Sequence, residues 1–477
     1  MDAGRPLPLE PSPDEMRHMA GTVAELLVQH IDSLPEMAAA DFDGVEELVE
    51  AVREPAPERG ARFDDLVRQV GEAATRGFNT AGPGYLAYVP GGGLWSAAVA
   101  DFLAAALNRF VGVWNAAPAL VQMEWQAVRW LADAFDYPQG ASGILTSGGS
   151  MSNFSAIVTA RRTLLGEDLA GGVVYVGGQT HVSVLKATVL AGFPRANVRS
   201  LPPDALLRQD PETLRAAVRA DREAGLRPFL VVASAGTTNT GAVDPIAAIA
   251  DVADEEGLWL HVDAAYGGFF HLTDRGRKAF AGIERADSIT LDPHKGMFLP
   301  YGTGCLLVRE GRRLRAAHDV HEAEYLQDLA DDELTPNFTD LSPELSRDFR
   351  GLRVWLPLKL HGVGAFRAAL DEKLDLARVI HEGIREAPGI VVPWEPELSV
   401  VAFRLEPEGA APAEAEEATR QLLERINDSR RVFLSSTTVG SRMLIRACVV
   451  SHRTHRDRID EAVEIIRKAA AEITGAG

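Results

Sequence analysis

The chain has little cysteine, a deficit of positive charge and no long apolar run. Only two of its 477 residues are cysteine, Cys305 and Cys448, and each lies in an apolar stretch. Two such thiols exclude a disulfide framework and are too few sulfurs to build a zinc site. We therefore expect buried, free cysteines and no metal, as is typical of a cytoplasmic protein.

The charge balance excludes two classes of partner. There are 48 lysine and arginine residues against 68 aspartate and glutamate residues, which gives a formal net charge of −20. An acidic surface disfavours both nucleic acid and anionic membrane as partners. Residues 94–110 form the longest apolar stretch, but Asp101 interrupts it and it is too short to span a bilayer. The first residues lack the apolar core of a signal peptide, so we expect a cytoplasmic enzyme.

What the chain does contain, from about residue 140, is an alternation of short apolar runs and helical patterns. The runs include "GGVVYVGG", "PFLVVASAG", "LWLHVDAAY" and "TGCLLVRE". Continuous apolar strands separated by helices predict an α/β fold with a mostly parallel sheet buried on both faces. Ligands bind such sheets at the carboxyl ends of the strands. A helical region precedes this unit, and a second α+β unit follows it.

Four motifs whose residues could bind a ligand or take part in catalysis fall at strand ends or helix starts of the central unit. Ser147-Gly148-Gly149-Ser150 joins a strand to a helix, where free backbone N–H groups can bind an anion. Asp263 ends an apolar strand, His181 begins a helix just past a strand, and Lys295 follows "LDPH". Singly, each has an ordinary structural interpretation: a glycine-rich turn, a helix cap, a structural histidine and a solvated lysine.

Together the four motifs supply what pyridoxal 5′-phosphate (PLP) needs from a protein. They offer a phosphate cradle, a carboxylate for the ring nitrogen, a flat side chain to stack on the ring and a lysine amine. A Schiff base with the PLP aldehyde would explain a lysine in a dry site, where desolvation also makes the amine nucleophilic. The sequence therefore predicts a PLP enzyme.

The wider pattern resembles the group II PLP-dependent amino acid decarboxylases, which include the aromatic-L-amino-acid, histidine and glutamate decarboxylases. The resemblance extends from about residue 65 to the C-terminus and is carried by "TSGGSMSN", "HVSVLKA", "AGTTNTGAVDPI", "HVDAAYGG", "DPHKGMF" and "DFRGLRVW". It implies fold type I and a homodimer with active sites at the interface. Residues 1–75 would be a helical segment that packs on the partner subunit. Residues 76–346 would be the large PLP-binding domain with a mobile loop at 327–346, and residues 347–477 the small C-terminal α+β domain.

The resemblance also assigns roles to single residues. Lys295 matches the Schiff-base lysine, Asp263 the partner of the ring nitrogen, and His181 the histidine that stacks on the ring. The residues that match further contacts to the phosphate and ring are Gly149, Ser150, Thr238, Ala265 and His294. "YLAYVP" resembles the segment that lines the substrate pocket in aromatic decarboxylases. The expected pocket residues are Tyr88, Val89, Pro90 and Trp114, with Arg446 as a candidate for the substrate carboxylate or, alternatively, a structural ion pair.

The implied reaction is decarboxylation of an L-amino acid, aromatic by this resemblance, to the amine and CO₂ through an external aldimine and a quinonoid. One position departs from the pattern. Aromatic decarboxylases carry on the mobile loop a tyrosine thought to protonate Cα, and counting back from Trp355 places Phe338 there, with Tyr325 well upstream. Loss of a general acid costs about 10²–10⁴-fold in rate.

Two alternatives to plain decarboxylation follow. In this family, replacement of the loop tyrosine is associated with aldehyde synthases, which release aldehyde, ammonia and peroxide, so Phe338 raises that possibility. A proton supplied by His181 or by water would instead leave an ordinary decarboxylase, which we favour. A third hypothesis, a PLP-binding protein without turnover, is disfavoured because all four PLP motifs are intact.

Overall fold

The structure is a computed structural model that describes residues 9–319 and 336–475. Its N-terminal part is mainly helical. The elements in chain order are α1 (Pro13–Ser33), β1 (Ala40–Asp41), α2 (Val45–Ala51), α3 (Phe63–Ala74), β2 (Gly77–Phe78), α4 (Trp95–Leu107) and α5 (Pro118–Ala134). A capping box starts α1, because the Ser12 hydroxyl accepts from the Glu15 N–H and the Glu15 carboxylate accepts from the Ser12 N–H. Neither α1 nor α3 buries a side chain completely.

A seven-stranded sheet forms the centre of the molecule. Its strands are β3 (Ser142–Thr146), β4 (Gly172–Gly177), β5 (Val198–Leu201), β6 (Arg227–Ser234), β7 (Trp259–Ala264), β8 (Ser288–Leu291) and β9 (Gly304–Val308). Their spatial order is β3-β9-β8-β7-β6-β4-β5. The pairs from β8 to β5 are parallel, whereas β9 is antiparallel to both β8 and β3. The predicted mostly parallel α/β sheet is confirmed.

Helices connect the strands and cover both faces of this sheet. They are α6 (Gly149–Leu164), α7 (Val182–Leu190), α8 (Pro211–Glu223), α9 (Ile246–Glu256), α10 (Asp274–Ala279), α11 (Pro293–Gly296) and α12 (Gly311–His318). Successive side chains of β6 enter two different cores: Val231 and Ala233 belong to one, Leu230 and Val232 to the other. Because both faces of the sheet are buried, the strand sequences are unbroken apolar runs and do not alternate between apolar and polar residues.

The C-terminal part forms a smaller α+β unit. It contains α13 (Gly351–Ile384), β10 (Ile390–Val391), β11 (Val400–Leu405), α14 (Pro412–Asp428), β12 (Ser435–Val439), β13 (Arg442–Cys448) and α15 (Arg456–Thr474). The strands form an antiparallel sheet in the order β10-β11-β13-β12. The long helix α13 is kinked at Gly362, whose φ is +72°. The prediction of a small α+β unit in the C-terminal part of the chain is confirmed.

Several details differ from the sequence-based expectation or lie beyond it. The strands β10 and β12 were not predicted, because β10 has two residues and β12 is the polar edge sequence "SSTTV". The domain limits at residues 75 and 346 stay predictions, although the two larger sheets lie on either side of residue 347. Cys305 and Cys448 are buried and unpaired, as predicted. Within the described ranges, no helix has the length and apolarity needed to cross a membrane.

Candidate active site

A cavity of about 300 Å³ lies at the carboxyl edge of the seven-stranded sheet. The strands β4, β6, β7 and β8 are parallel, so the residues that follow them meet at this edge. The cavity wall contains all the residues expected to hold PLP: Gly149, Ser150, His181, Thr238, Asp263, Ala265, His294 and Lys295. The structure thus brings this set together, while the role of each member stays a prediction.

Lys295 lies in α11, directly after the buried end of β8. Its Nζ atom is 2.9 Å from Oδ2 of Asp292, a carboxylate that is 2% exposed. Burial lowers the pKa of the Lys295 ammonium, but the carboxylates of Asp292 and Asp263 outweigh burial, and the net pKa is raised. An amine in this position is a paired cation until a ligand enters, so the expected effect of desolvation on Lys295 is outweighed by its carboxylate neighbours.

Asp263 ends β7 as a carboxylate that is 8% exposed. Its Oδ2 atom accepts a hydrogen bond from Nδ2 of Asn153 at 3.0 Å, and its Oδ1 atom accepts from the Ala265 N–H at 3.2 Å. A carboxylate has about four acceptor positions, so two donors leave room for a third on the cavity side. A protonated ring nitrogen is a donor of the required kind.

The glycine turn before α6 has the geometry of an anion cradle. Gly148 has φ +152° and ψ 174°, a conformation that only glycine adopts readily. A Cβ atom on Gly149 would lie 3.0 Å from Cβ of Ala265 and 3.1 Å from Oδ2 of Asp292, so a side chain would close the turn. In the part of the chain that the structure describes, no side chain caps the first N–H groups of α6. Free N–H groups at a helix start suit a phosphate.

The two histidines of the site are held by different partners. His181 caps α7, where its Nδ1 atom accepts from the Ser183 N–H at 3.2 Å and lies 2.8 Å from the Ser183 hydroxyl. His294 places Nδ1 2.7 Å from the Thr303 carbonyl, which can only accept, so Nδ1 carries the proton. Burial lowers the pKa of His294, which keeps its ring neutral near pH 7.

Taken together, these groups fit PLP. The cradle accepts a phosphate, Asp263 has a free acceptor position, and the Lys295 amine lies within the same cavity. One buried acceptor, Oδ1 of Asp292, has no hydrogen-bond partner among the described residues, and the side chain of Asp292 lines the cavity.

The residues expected on the substrate side lie outside this cavity wall. Tyr88 is 55% exposed and adopts φ +53°, which is unusual for a residue other than glycine. Its segment hydrogen-bonds to the C-terminal unit: the Leu86 N–H donates to the Phe433 carbonyl, and the Cys448 N–H donates to the Leu86 carbonyl. The remaining expected pocket residues, Val89, Pro90 and Trp114, are likewise absent from the wall formed by the described residues.

Arg446 is buried and holds backbone groups together. Its guanidinium donates to the Asn239 carbonyl at 2.9 Å, to the Tyr88 carbonyl at 3.2 Å and to the Thr238 carbonyl. No carboxylate of the described residues is an ion-pair partner, so the alternative of a structural ion pair is not what the structure has. Arg446 instead braces the Tyr88 segment against the turn that follows β6.

Phe338 is not placed over an active site. Its ring has no exposed surface and packs in the core with Trp125, at 6.2 Å between ring centroids, and with the Arg347 guanidinium, at 4.9 Å. A side chain enclosed in this way cannot cover a site on the same or another subunit. Phe338 is thus a core residue beside α5 that does not line the cavity, and its catalytic role stays a prediction that these contacts do not support. Tyr325 lies outside the described residues.

Sequence reasoning missed several buried polar side chains of the site, among them Asn153, Ser183 and Asp292. Asn153 and Ser183 lie inside the motifs "TSGGSMSN" and "HVSVLKA", and Asp292 precedes Pro293 in "LDPHK". The signal available for Asn153 was its helical spacing, since it follows Gly149 by four residues and so lies on the same face of α6. Nothing in the sequence shows which buried carboxylate would contact Lys295.

Comparisons with known proteins agree with this geometry. Residues 46–406 match the family model described as the pyridoxal-dependent decarboxylase conserved domain. The chain is 34% identical over 472 residues to an aromatic-L-amino-acid decarboxylase of Bacillus atrophaeus, with 98% of each chain covered. It is 29% identical over 406 residues to a phenylacetaldehyde synthase of Arabidopsis thaliana, with 82% of each covered. The crystal structure of Oryza sativa TDC with PLP and tryptamine matches with a TM-score of 0.92 and 30% identity, covering 98% of this chain and 99% of that one.

Proposed function

The chain belongs to the pyridoxal-dependent decarboxylase family of PLP-dependent carboxy-lyases, and from this premise we propose that it converts an aromatic L-amino acid to the corresponding amine and CO₂. The observation that carries the proposal is the single cavity that joins the Lys295 amine, the Asp263 carboxylate and the open turn at Gly149. The aromatic substrate class is supported by the names of the relatives at 29–34% identity and by the aromatic segment around Tyr88.

Bound PLP supplies an aldehyde that takes up the substrate amine and a conjugated ring that accepts the electron pair left behind by CO₂. In our proposal, the N–H groups of Gly149 and Ser150 bind the phosphate, with His294 nearby. Asp263 keeps a proton on the ring nitrogen, because its carboxylate is held by two donors and has an acceptor position to spare. His181, Thr238 and Ala265 contact the ring.

Lys295 must lose a proton before its amine can act as a nucleophile. The Oδ2 atom of Asp292, 2.9 Å away, is placed to take that proton and to return it when the amine is released. The short distance between Asp292 and Lys295 supports this role for the carboxylate, whereas Nδ1 of the neighbouring His294 is bound to the Thr303 carbonyl.

We also propose that the enzyme is a homodimer whose substrate pocket is completed by a second copy. The apolar side chains that support this lie on α4 and its end, where Phe102, Leu103, Leu107 and Phe110 are 42–62% exposed. The helices α1 and α3 keep further apolar side chains on the surface. Several exposed apolar side chains on neighbouring turns of one helix are typical of an interface. The two buried free thiols suit the cytoplasm that the sequence predicts.

The test is turnover of candidate substrates by the purified, PLP-loaded protein. L-Tryptophan, L-tyrosine, L-phenylalanine, L-DOPA and L-glutamate are compared while CO₂, amine and peroxide are measured. We expect equal amounts of CO₂ and amine from an aromatic substrate and none from L-glutamate. Lys295→Ala serves as the inactive control and Lys186→Ala, on the exposed face of α7, as the matched active one. Turnover of L-glutamate alone would overturn the aromatic proposal.

A second candidate is formation of an aldehyde, ammonia and peroxide. It draws support from relatives named phenylacetaldehyde synthase, but Phe338, the residue on which it rested, is a core residue. CO₂ with stoichiometric peroxide and no amine would favour this candidate over the plain decarboxylase.

A further inference from the structure

A row of buried hydrogen bonds ends at Asp263. Nε1 of Trp259 donates to the Ser288 hydroxyl at 2.8 Å, and that hydroxyl lies 2.8 Å from Nδ1 of His261. Nε2 of His261 lies 3.0 Å from Oδ1 of Asn153, whose Nδ2 atom is 3.0 Å from Oδ2 of Asp263. All five side chains are at most 8% exposed. The row therefore connects β7, β8 and α6 beneath the floor of the cavity.

The chemistry of the ends fixes the direction of every bond. An ionised carboxylate only accepts, so the atom of Asn153 that faces Asp263 is the amide nitrogen, and the oxygen faces His261. His261 must then carry its proton on Nε2 and accept at Nδ1 from the Ser288 hydroxyl. The indole of Trp259 can only donate, which agrees with its position at the far end. Burial lowers the pKa of His261 to about 4, so a neutral ring is expected near pH 7.

Asn153 also starts a second branch, towards His181. The other N–H of its amide donates to the Ser183 hydroxyl at 3.0 Å. Since that oxygen accepts from Asn153, the Ser183 hydroxyl proton is free to go to Nδ1 of His181, 2.8 Å away, which also accepts the Ser183 N–H. Two donors at Nδ1 leave the single proton of a neutral His181 on Nε2.

We propose that Asn153 is a positioning residue: its one amide both holds the Asp263 carboxylate towards the PLP ring nitrogen and keeps the proton of His181 on Nε2. The part that concerns PLP rests on the proposed function, whereas the two proton positions are properties of the protein alone. Asn153→Asp is the sharpest perturbation, because the shape is kept while the donor to Asp263 becomes an acceptor 3.0 Å from another carboxylate oxygen.

The first test reads the proton positions in the cofactor-free wild type, by solid-state NMR of protein labelled with ¹⁵N-histidine. The signals of His261 and His181 are assigned by their loss in His261→Gln and His181→Gln. We expect Nε2 of both rings to carry a proton and Nδ1 to be an acceptor, and His181 to lose that state in Asn153→Asp. A proton on Nδ1 of either ring in the wild type would overturn the proposal. A His181 signal that is the same in the wild type and in Asn153→Asp would overturn it as well.

The second test measures PLP affinity by equilibrium dialysis. We expect Asn153→Asp to raise the dissociation constant roughly 10- to 100-fold, because a hydrogen bond to a charged group is replaced by repulsion. Asn197→Asp is the matched control, since that amide donates to the Gly172 carbonyl outside the cavity wall. A folded Asn153→Asp with wild-type affinity would contradict the role at Asp263. If Asn153→Asp does not fold, Asn153→Ser replaces it in both measurements.

These readouts separate the proposal from the proposed function. If no aromatic amino acid is decarboxylated yet the proton positions and the PLP affinities behave as expected, only the substrate proposal fails. If decarboxylation is found and Asn153→Asp leaves the proton positions and affinity unchanged, Asn153 has no positioning role.

Discussion

Replacement of Phe338 by tyrosine would separate a loop role for this position from a core role. The ring is fully buried against Trp125 and beneath the Arg347 guanidinium. Arg347 itself is an enclosed ion, paired with Glu124 at 2.5 Å and without solvent contact at either side chain. A hydroxyl added to this ring must displace packed atoms, and the donors available beside the ring are Nε and Nη1 of Arg347, which have no hydrogen-bond partner among the described residues.

The cost can be estimated from these two effects. Overpacking of a core side chain costs about 1–3 kcal/mol, and a buried hydroxyl without a hydrogen bond costs about 1–3 kcal/mol. We therefore expect Phe338→Tyr to lower the free energy of unfolding by roughly 2–6 kcal/mol if the hydroxyl stays unpaired, and by roughly 1–3 kcal/mol if it accepts a hydrogen bond from Arg347. Because the ring does not touch the cavity, the ratio of amine to aldehyde should stay that of the wild type.

The assay combines chemical denaturation with product analysis on the same preparation. Phe349→Tyr is the matched control, because Phe349 is 6% exposed and belongs to the same core. Comparable destabilisation by both variants is the expected result. A Phe338→Tyr enzyme of wild-type stability that releases more amine and less peroxide would refute the core assignment and restore the loop interpretation.

Three further predictions concern stability and cofactor binding. Burial between Phe rings lowers the pKa of His271 to about 4. The unfolded chain therefore binds more protons than the folded chain between about pH 4 and 6.5, so the free energy of unfolding decreases as the pH is lowered. His271→Phe should recover roughly 2 kcal/mol of the stability lost between pH 7 and 4.5, measured by urea titration. Lys295→Ala should abolish turnover and the covalent attachment of PLP by borohydride reduction, while PLP still binds through its phosphate. If borohydride attaches as much PLP to Lys295→Ala as to Lys186→Ala, the assignment of Lys295 is wrong. Gly148→Ala, at φ +152°, should weaken PLP binding at least about tenfold, whereas Gly364→Ala, in open space, should not; equal affinities in dialysis would contradict the cradle.

The sequence was informative where local chemistry decides structure. Apolar runs bounded by glycine and proline marked the strands of the central sheet, and a parallel arrangement then required their carboxyl ends to share an edge. That is why Asp263, Lys295 and the Gly149 turn could be assigned to one site before any contact was known. The predicted passage from strand to helix at Ser147-Gly148-Gly149-Ser150 is found for the same reason, since α6 begins at Gly149.

What escaped prediction depends on long-range packing. The position of Phe338 is decided by its contacts with Trp125 and Arg347, and no count along an irregular segment can supply them. The row through Asn153 and His261 joins residues 108 positions apart, so its bonds cannot be read from spacing. For His261 a hint did exist, since it precedes Asp263 by two residues on the same strand and therefore faces the same side.

The segment around Tyr88 has a consequence for how such an enzyme can diversify. It hydrogen-bonds to the strands of the C-terminal unit and is braced by Arg446, whereas the cofactor cradle belongs to the central sheet. Heritable changes in β12 or β13 would shift this segment directly, because the Tyr88 N–H donates to Ser435 and its carbonyl accepts from Arg446. If the predicted substrate role of the Tyr88 segment holds, substitutions in β12 or β13 would alter substrate preference without touching the residues of the cofactor cavity.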